Sequence, residues 1–140
     1  MLYPSRLRHS DSTLAGQNDL CENPCHLSVN GVHYVMRFVE TPVFTRAVTA
    51  LLDEERYRAL QLALALRPEQ GDVIRGSGGL RKLRWSLAGR GKRGGVRVIY
   101  YWDAPTHTFY MLYVYTKQEQ GDLTFQQIKV LSRLVQEEFK

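Results

Sequence analysis

Apolar and polar residues change their rhythm twice along this chain, and the changes mark out its elements. Tyr34-Val35-Met36-Arg37-Phe38-Val39 has the β-branched and aromatic content of a strand. Thr41 then offers an N-cap with Pro42 at the first helical position, and Phe44, Val48 and Leu51 recur at helical spacing. Asp53-Glu54-Glu55 places carboxylates at the positive end of a second helix, which carries Tyr57, Leu60 and Leu64 and stops at Pro68. The two helices predict a helical hairpin. Beyond it the rhythm becomes two: Leu80 to Leu87, Val96 to Trp102 and Phe109 to Thr116 read as strands. The last two are joined by Asp103-Ala104-Pro105-Thr106-His107-Thr108, a hairpin loop that makes them antiparallel neighbours. Thr124 with Gln127 forms a capping box, and Ile128, Leu131, Val135 and Phe139 give a last helix its apolar stripe. This order predicts a small α+β fold, an N-terminal strand and helical hairpin packed on one side of an antiparallel sheet, with a C-terminal helix.

Residues 1–35 stand apart. Ser10-Asp11-Ser12-Thr13, Gly16-Gln17-Asn18-Asp19 and Asn23-Pro24 show little patterning, so an irregular or disordered extension is expected there, with the domain proper spanning 36–140. Met36 is also a plausible natural start. The longest apolar run, Ala59 to Leu66, is interrupted by Gln61 and falls short of the roughly 18 residues that span a bilayer. With no apolar leader at Met1-Leu2-Tyr3-Pro4-Ser5-Arg6, a cytoplasmic protein without a membrane partner is expected. Cys21, Cys25, His26 and His33 could be drawn as a zinc site, but their spacing meets the usual patterns only loosely, and two reduced thiols with no metal are the preferred reading.

Charge changes the picture more than composition does. The net charge is +5, and its distribution is uneven. No Asp or Glu occurs between Val73 and Trp102, whereas Arg75, Arg81, Lys82, Arg84, Arg90, Lys92, Arg93 and Arg97 all fall there. A basic face of this kind suits a polyanion, RNA above all. In Leu80-Arg81-Lys82-Leu83-Arg84-Trp85-Ser86, alternation sends Lys82 and Arg84 to one face and Leu83 and Trp85 to the other. Like charges held side by side on a strand repel unless an anion joins them; the plainer reading is a solvated face with long stems. Gly89-Arg90-Gly91-Lys92-Arg93-Gly94-Gly95 reads as a cationic loop whose backbone N–H groups can approach phosphate; it lacks the ending and the helix of a nucleotide-binding P-loop. Arg97 interrupts an apolar, central-looking strand and needs either a task or a partner, for which Glu40 and Glu119 are the candidates. Lys117 ends the next strand beside Tyr113 and Tyr115, and rings beside a cationic groove can stack exposed bases. The four histidines lie in the N-terminal segment and one loop, and no nucleophile elbow, paired carboxylates or histidine-rich metal site appears in the patterned domain. RNA cleavage by its own 2′-OH fits such a set, because the protein then has to orient the strand and stabilise charge.

Those same residues resemble a known family. Leu64-Ala65-Leu66-Arg67-Pro68-Glu69-Gln70-Gly71-Asp72-Val73-Ile74, with Gly76-Ser77-Gly78-Gly79-Leu80-Arg81-Lys82-Leu83-Arg84, resembles the HigB branch of the RelE/ParE toxin superfamily. So do Gly91-Lys92-Arg93-Gly94-Gly95-Val96-Arg97-Val98-Ile99-Tyr100-Tyr101 and Tyr115-Thr116-Lys117-Gln118-Glu119-Gln120-Gly121-Asp122-Leu123. The resemblance covers about Met36 to Lys140. It implies a RelE-like fold and the toxin of a type II toxin–antitoxin system: a cofactor-free, metal-independent mRNA endoribonuclease (mRNA interferase) that inhibits translation on the ribosome. Its implied partners are ribosome-bound mRNA and a cognate antitoxin with a DNA-binding domain. Lys82, Arg84, Arg97 and Lys117 are the catalytic set so implied, with Arg97 on the developing charge, Lys82 or Arg84 in proton transfer and Lys117 on the backbone. Arg81, Arg90, Lys92, Arg93 and Tyr115 are the expected RNA contacts. The chain departs from RelE in having Thr124 where that branch carries a catalytic tyrosine. A DNA gyrase inhibitor like the ParE branch, a non-enzymatic binder, is the alternative.

Overall fold

The computed structural model describes residues 21–87 and 91–139; within these, the side chains of 21–23, 25, 27, 29, 34, 87, 91–94 and 139 are not described. The elements follow as β1 (Cys21–Val29), β2 (Val32–Glu40), α1 (Pro42–Leu51), α2 (Glu54–Leu66), β3 (Asp72–Val73), β4 (Arg81–Leu87), β5 (Gly91–Asp103), β6 (Thr108–Thr116) and α3 (Phe125–Leu134), which ends in a wider turn, Val135–Phe139. The strands form one sheet in the order β1-β2-β6-β5-β4-β3. The α+β class read from the pattern is the class observed.

Capping decides where the helices begin. Thr41 accepts the Phe44 N–H, Asp53 accepts the Arg56 N–H, and Thr124 exchanges bonds with Gln127 in a full capping box. Phe44 and Val48 of α1, with Tyr57, Leu60, Leu64 and Ala65 of α2, repeat at three and four residues and pack onto Met36, Phe38, Leu83, Val98, Tyr100, Phe109 and Met111. An aromatic stack runs through this core. The Phe38 and Phe109 rings lie 4.7 Å apart and Trp102 sits 4.4 Å from Phe109.

Three expectations are corrected. Residues 21–35, expected to be irregular, form β1 and the start of β2, joined at Asn30-Gly31 with φ of 51° and 79°. Asn-Gly between Val29 and Val32 is the turn that two-residue hairpins favour, since both central residues must be left-handed. The sheet is not wholly antiparallel, because β2 lies parallel to β6. The chain leaves β2 through both helices and three strands before β6 returns beside it, and parallel neighbours need such a long crossover. The helices also do not share one side. Leu80, Ile99, Leu112, Tyr115 and Val135 form a second core on the opposite face, with Leu131 and Leu134 of α3 packed against it. Both faces of β5 and β6 are apolar, so both require cover.

Loss of Phe109 should cost about 3–5 kcal/mol, because its ring contacts three other aromatics and its removal leaves a cavity. Phe125, with 71% of its surface exposed, serves as the control. Urea unfolding of Phe109→Ala should show a large drop in midpoint, and Phe125→Ala a change within about 0.5 kcal/mol.

Candidate nucleic-acid interface

Strand register assembles the site. Arg84 of β4 lies directly opposite Arg97 of β5, which in turn lies opposite Tyr115 of β6. The next row on this face joins Lys82, Ile99 and Tyr113. Leu83 and Trp85 belong to the core under the helical hairpin, so Lys82 and Arg84 share the opposite face, as alternation predicts, and that face, with Ser86, is the α3 side. Gly95 lets the two strands close here: a Cβ would lie 2.6 Å from the Trp85 carbonyl oxygen, a contact with backbone that cannot yield. The ladder is irregular between Trp85 and Leu87, and Arg84, Ser86, Gly95 and Arg97 line a cleft of about 180 Å3 beside the irregularity.

Arg97 is buried, with 7% of its surface exposed, and neither expected partner reaches it. Glu40 lies on the other face of the sheet, where its carboxylate accepts from the Tyr57 and Thr45 hydroxyls. Glu119 instead accepts the Thr116 N–H at 2.9 Å. Among the described residues no carboxylate lies within ion-pair distance of Arg97. Its surroundings are Arg84, the Tyr115 phenol and, further off, the Asp122 carboxylate.

Asp122 is the residue that sequence reading missed. It sits in the β6–α3 loop and accepts a 3.0 Å hydrogen bond from Lys82 Nζ, placing an acid at the edge of the cationic rows. That hydrogen bond, helped by the charges of Lys82 and Arg97 and by the Leu123 N–H, holds its carboxyl below the usual carboxylate range. Forty residues separate the pair, so no local signal could have joined them.

The remaining candidates divide. Tyr115, expected to stack on bases, has 1% of its surface exposed and is part of the second core, so its ring has no free face for a base. Burial raises its pKa, as does Asp122, with Arg97 opposing. Among the described residues its hydroxyl has no hydrogen-bond partner. Arg81 faces the helical-hairpin side, and its guanidinium donates to the carbonyls of Glu69 and Gly71, binding the 67–71 loop rather than joining Lys82 and Arg84. Lys117 is exposed in the turn that follows β6. Gly91–Gly95, read as loop, are the first residues of β5; the side chains of Lys92 and Arg93, and all of Arg90, lie outside the described residues. Thr124 caps α3, as expected. His26 and His33 are exposed, while the side chains of Cys21 and Cys25 are outside the described residues. No protein-family model matches the chain.

The Lys82–Asp122 pair carries a pH signature. A carboxyl whose pKa is depressed on folding stabilises the protein above its ordinary value, and that contribution is lost as pH falls through the depressed one. The Asp122 side chain is 70% exposed, so water screens the pair, the gain is under about 1 kcal/mol, and the clearer readout is the titration itself. Carboxyl NMR should place the Asp122 midpoint below the ordinary value of about 3.9. In Lys82→Met the midpoint should move upward toward it; an unmoved midpoint refutes the pairing.

Proposed function

We propose that this chain is a ribosome-dependent mRNA endoribonuclease of the RelE/ParE type, the toxin of a type II toxin–antitoxin pair acting in the cytoplasm. One observation carries the reading. Arg84 and Arg97 face each other across β4 and β5, a like-charged cross-strand pair that is destabilising by itself and that a bound phosphate would join. Lys82 on the same face adds a third cation.

The chemistry would need little else from the protein. The 2′-oxygen of the RNA attacks the adjacent phosphorus in line, the bond from phosphorus to the 5′-oxygen breaks, and a 2′,3′-cyclic phosphate and a 5′-OH result. The proton lost from the 2′-OH and the one gained by the 5′-oxygen balance. Arg97, held on a central strand with little freedom to reorient, would stabilise the phosphorane charge, where preorganised donors act most strongly. Lys82 or Arg84 would serve proton transfer, and Lys117, at the end of β6, would hold the backbone. A cognate antitoxin with a DNA-binding domain is the implied partner.

Arg97→Met tests this reading. A buried cation with no carboxylate partner among the described residues costs desolvation, so an apolar replacement of similar length should leave the urea midpoint unchanged or higher. Cleavage of mRNA on programmed ribosomes should fall by about 10²–10³-fold. Mapping of 5′ ends after induction should find in-frame cuts in translated messages for the wild type and none for the variant. Intact messages with arrested replication would overturn the nuclease and favour a gyrase inhibitor.

A further inference from the structure

Two features remain unexplained by the rows of cations. A buried tyrosine hydroxyl in the same row as Arg84 and Arg97 lacks a hydrogen-bond partner among the described residues. An acid, Asp122, sits against one of the cations. A buried hydroxyl left without a bond costs about 1–3 kcal/mol, so its retention in the row of Arg97 calls for a ligand that it meets only at times.

We infer that Asp122 is an internal anion occupying the edge of the phosphate site, that a substrate phosphate displaces it from Lys82, and that the Tyr115 hydroxyl then donates to that phosphate. The geometry supports each part. Asp122 holds Lys82 by one 3.0 Å bond from an exposed loop, and its side chain is 70% exposed, so the pair is weak and readily exchanged. Only the Asp122 side chain has to swing, because its backbone is held to the start of α3 through Gln120, which donates to the Asp122 carbonyl and to Gln127. A Cβ built at Gly121, beside Asp122, would meet nothing within 4 Å. The charges of Asp122 and Arg97 both act on the Tyr115 phenol, and Arg97 lies directly opposite Tyr115 across β5 and β6. Burial raises its pKa, which keeps it protonated and able to donate. A phosphate has more acceptor sites than one carboxylate, enough for Lys82, Arg84, Arg97 and Tyr115 together. Tyr115 therefore belongs to the site through its hydroxyl, not through its ring face.

This inference rests on the rows being a phosphate site. The probe is a 2′-O-methylated RNA trinucleotide, which carries phosphodiesters but cannot be cut by its own 2′-oxygen, titrated into the full chain without ribosomes. Asp122→Asn removes the competing charge at nearly constant shape and should tighten binding about fivefold, the effect of one charge at close range in water. Tyr115→Phe should weaken binding about three- to tenfold with an unchanged amide NMR spectrum, reflecting one lost hydrogen bond. In the Lys82→Met background Asp122→Asn should bring no gain, because the acid competes through Lys82. Unchanged or weaker binding by Asp122→Asn overturns the displacement, and unchanged binding by Tyr115→Phe overturns the donor role. Probe binding in this pattern without cleavage on programmed ribosomes would remove the nuclease and leave the gated phosphate site. Cleavage with no probe binding by the wild type or Asp122→Asn would remove the gated site and leave the nuclease.

Discussion

Cover on both faces of β5 is the constraint from which the rest of the molecule follows. Val96, Val98 and Tyr100 point into the core beneath the helical hairpin, and Ile99 points into the core beneath α3. From Val96 to Tyr100 the strand is buried on both faces, so every residue there is matched by packing or carries a desolvation cost. Arg97 carries that cost. Its row neighbours are another arginine and a tyrosine, and the sheet separates it from Glu40. Stability alone would favour an apolar residue there, and the tension between fold and charge is the physical mark of a site.

Around β5 the fold spends several specific contacts on holding its neighbours close. Tyr100 donates its hydroxyl to the Pro68 carbonyl and accepts the Gly71 N–H, while Arg81 binds two carbonyls of the same loop. A Cβ at Gly71 would lie 2.9 Å from the Tyr100 ring, so the loop can approach only as glycine. On the other face, Ser77 accepts the Leu80 N–H and donates to the Ile74 carbonyl, fixing the turn that leads into β4. These contacts hold one end of the β4–β5 pair, where Arg81 lies opposite Tyr100, and the close approach at Gly95 holds the other, so the cations ride on strands rather than on a loop. Rigid placement is what lets a few charges act on a phosphate without a large entropic cost on binding.

Charge balance at the site comes from a distance along the chain. The basic stretch of sequence contains no acid, but the β6–α3 loop brings Asp122 onto Lys82. Sequence charge therefore overstates the free charge of this face by one pair. The same loop supplies Gln120, which bonds Gln127 in the capping box of α3, so the acid and the helix start share one anchor.

Much of this was legible before folding, because the signals were local. Thr41, Asp53 and Thr124 as caps, Pro68 as a stop, and the alternation of Lys82 and Arg84 with Leu83 and Trp85 each depend on residues within one turn or one strand. The hairpin at Asn30-Gly31 is an equally local signal, because both residues of a two-residue turn take left-handed φ. Nonlocal matters were of another kind. Whether Glu40 could reach Arg97, whether Tyr115 was a stacking platform or a buried row member, which face Arg81 took, where α3 packed and what sat on Lys82 all depended on strand order and register. A sequence sets the period of a strand and so which residues share a face; only the assembled sheet decides which of the two faces is covered, by what, and which charges are left there without a partner.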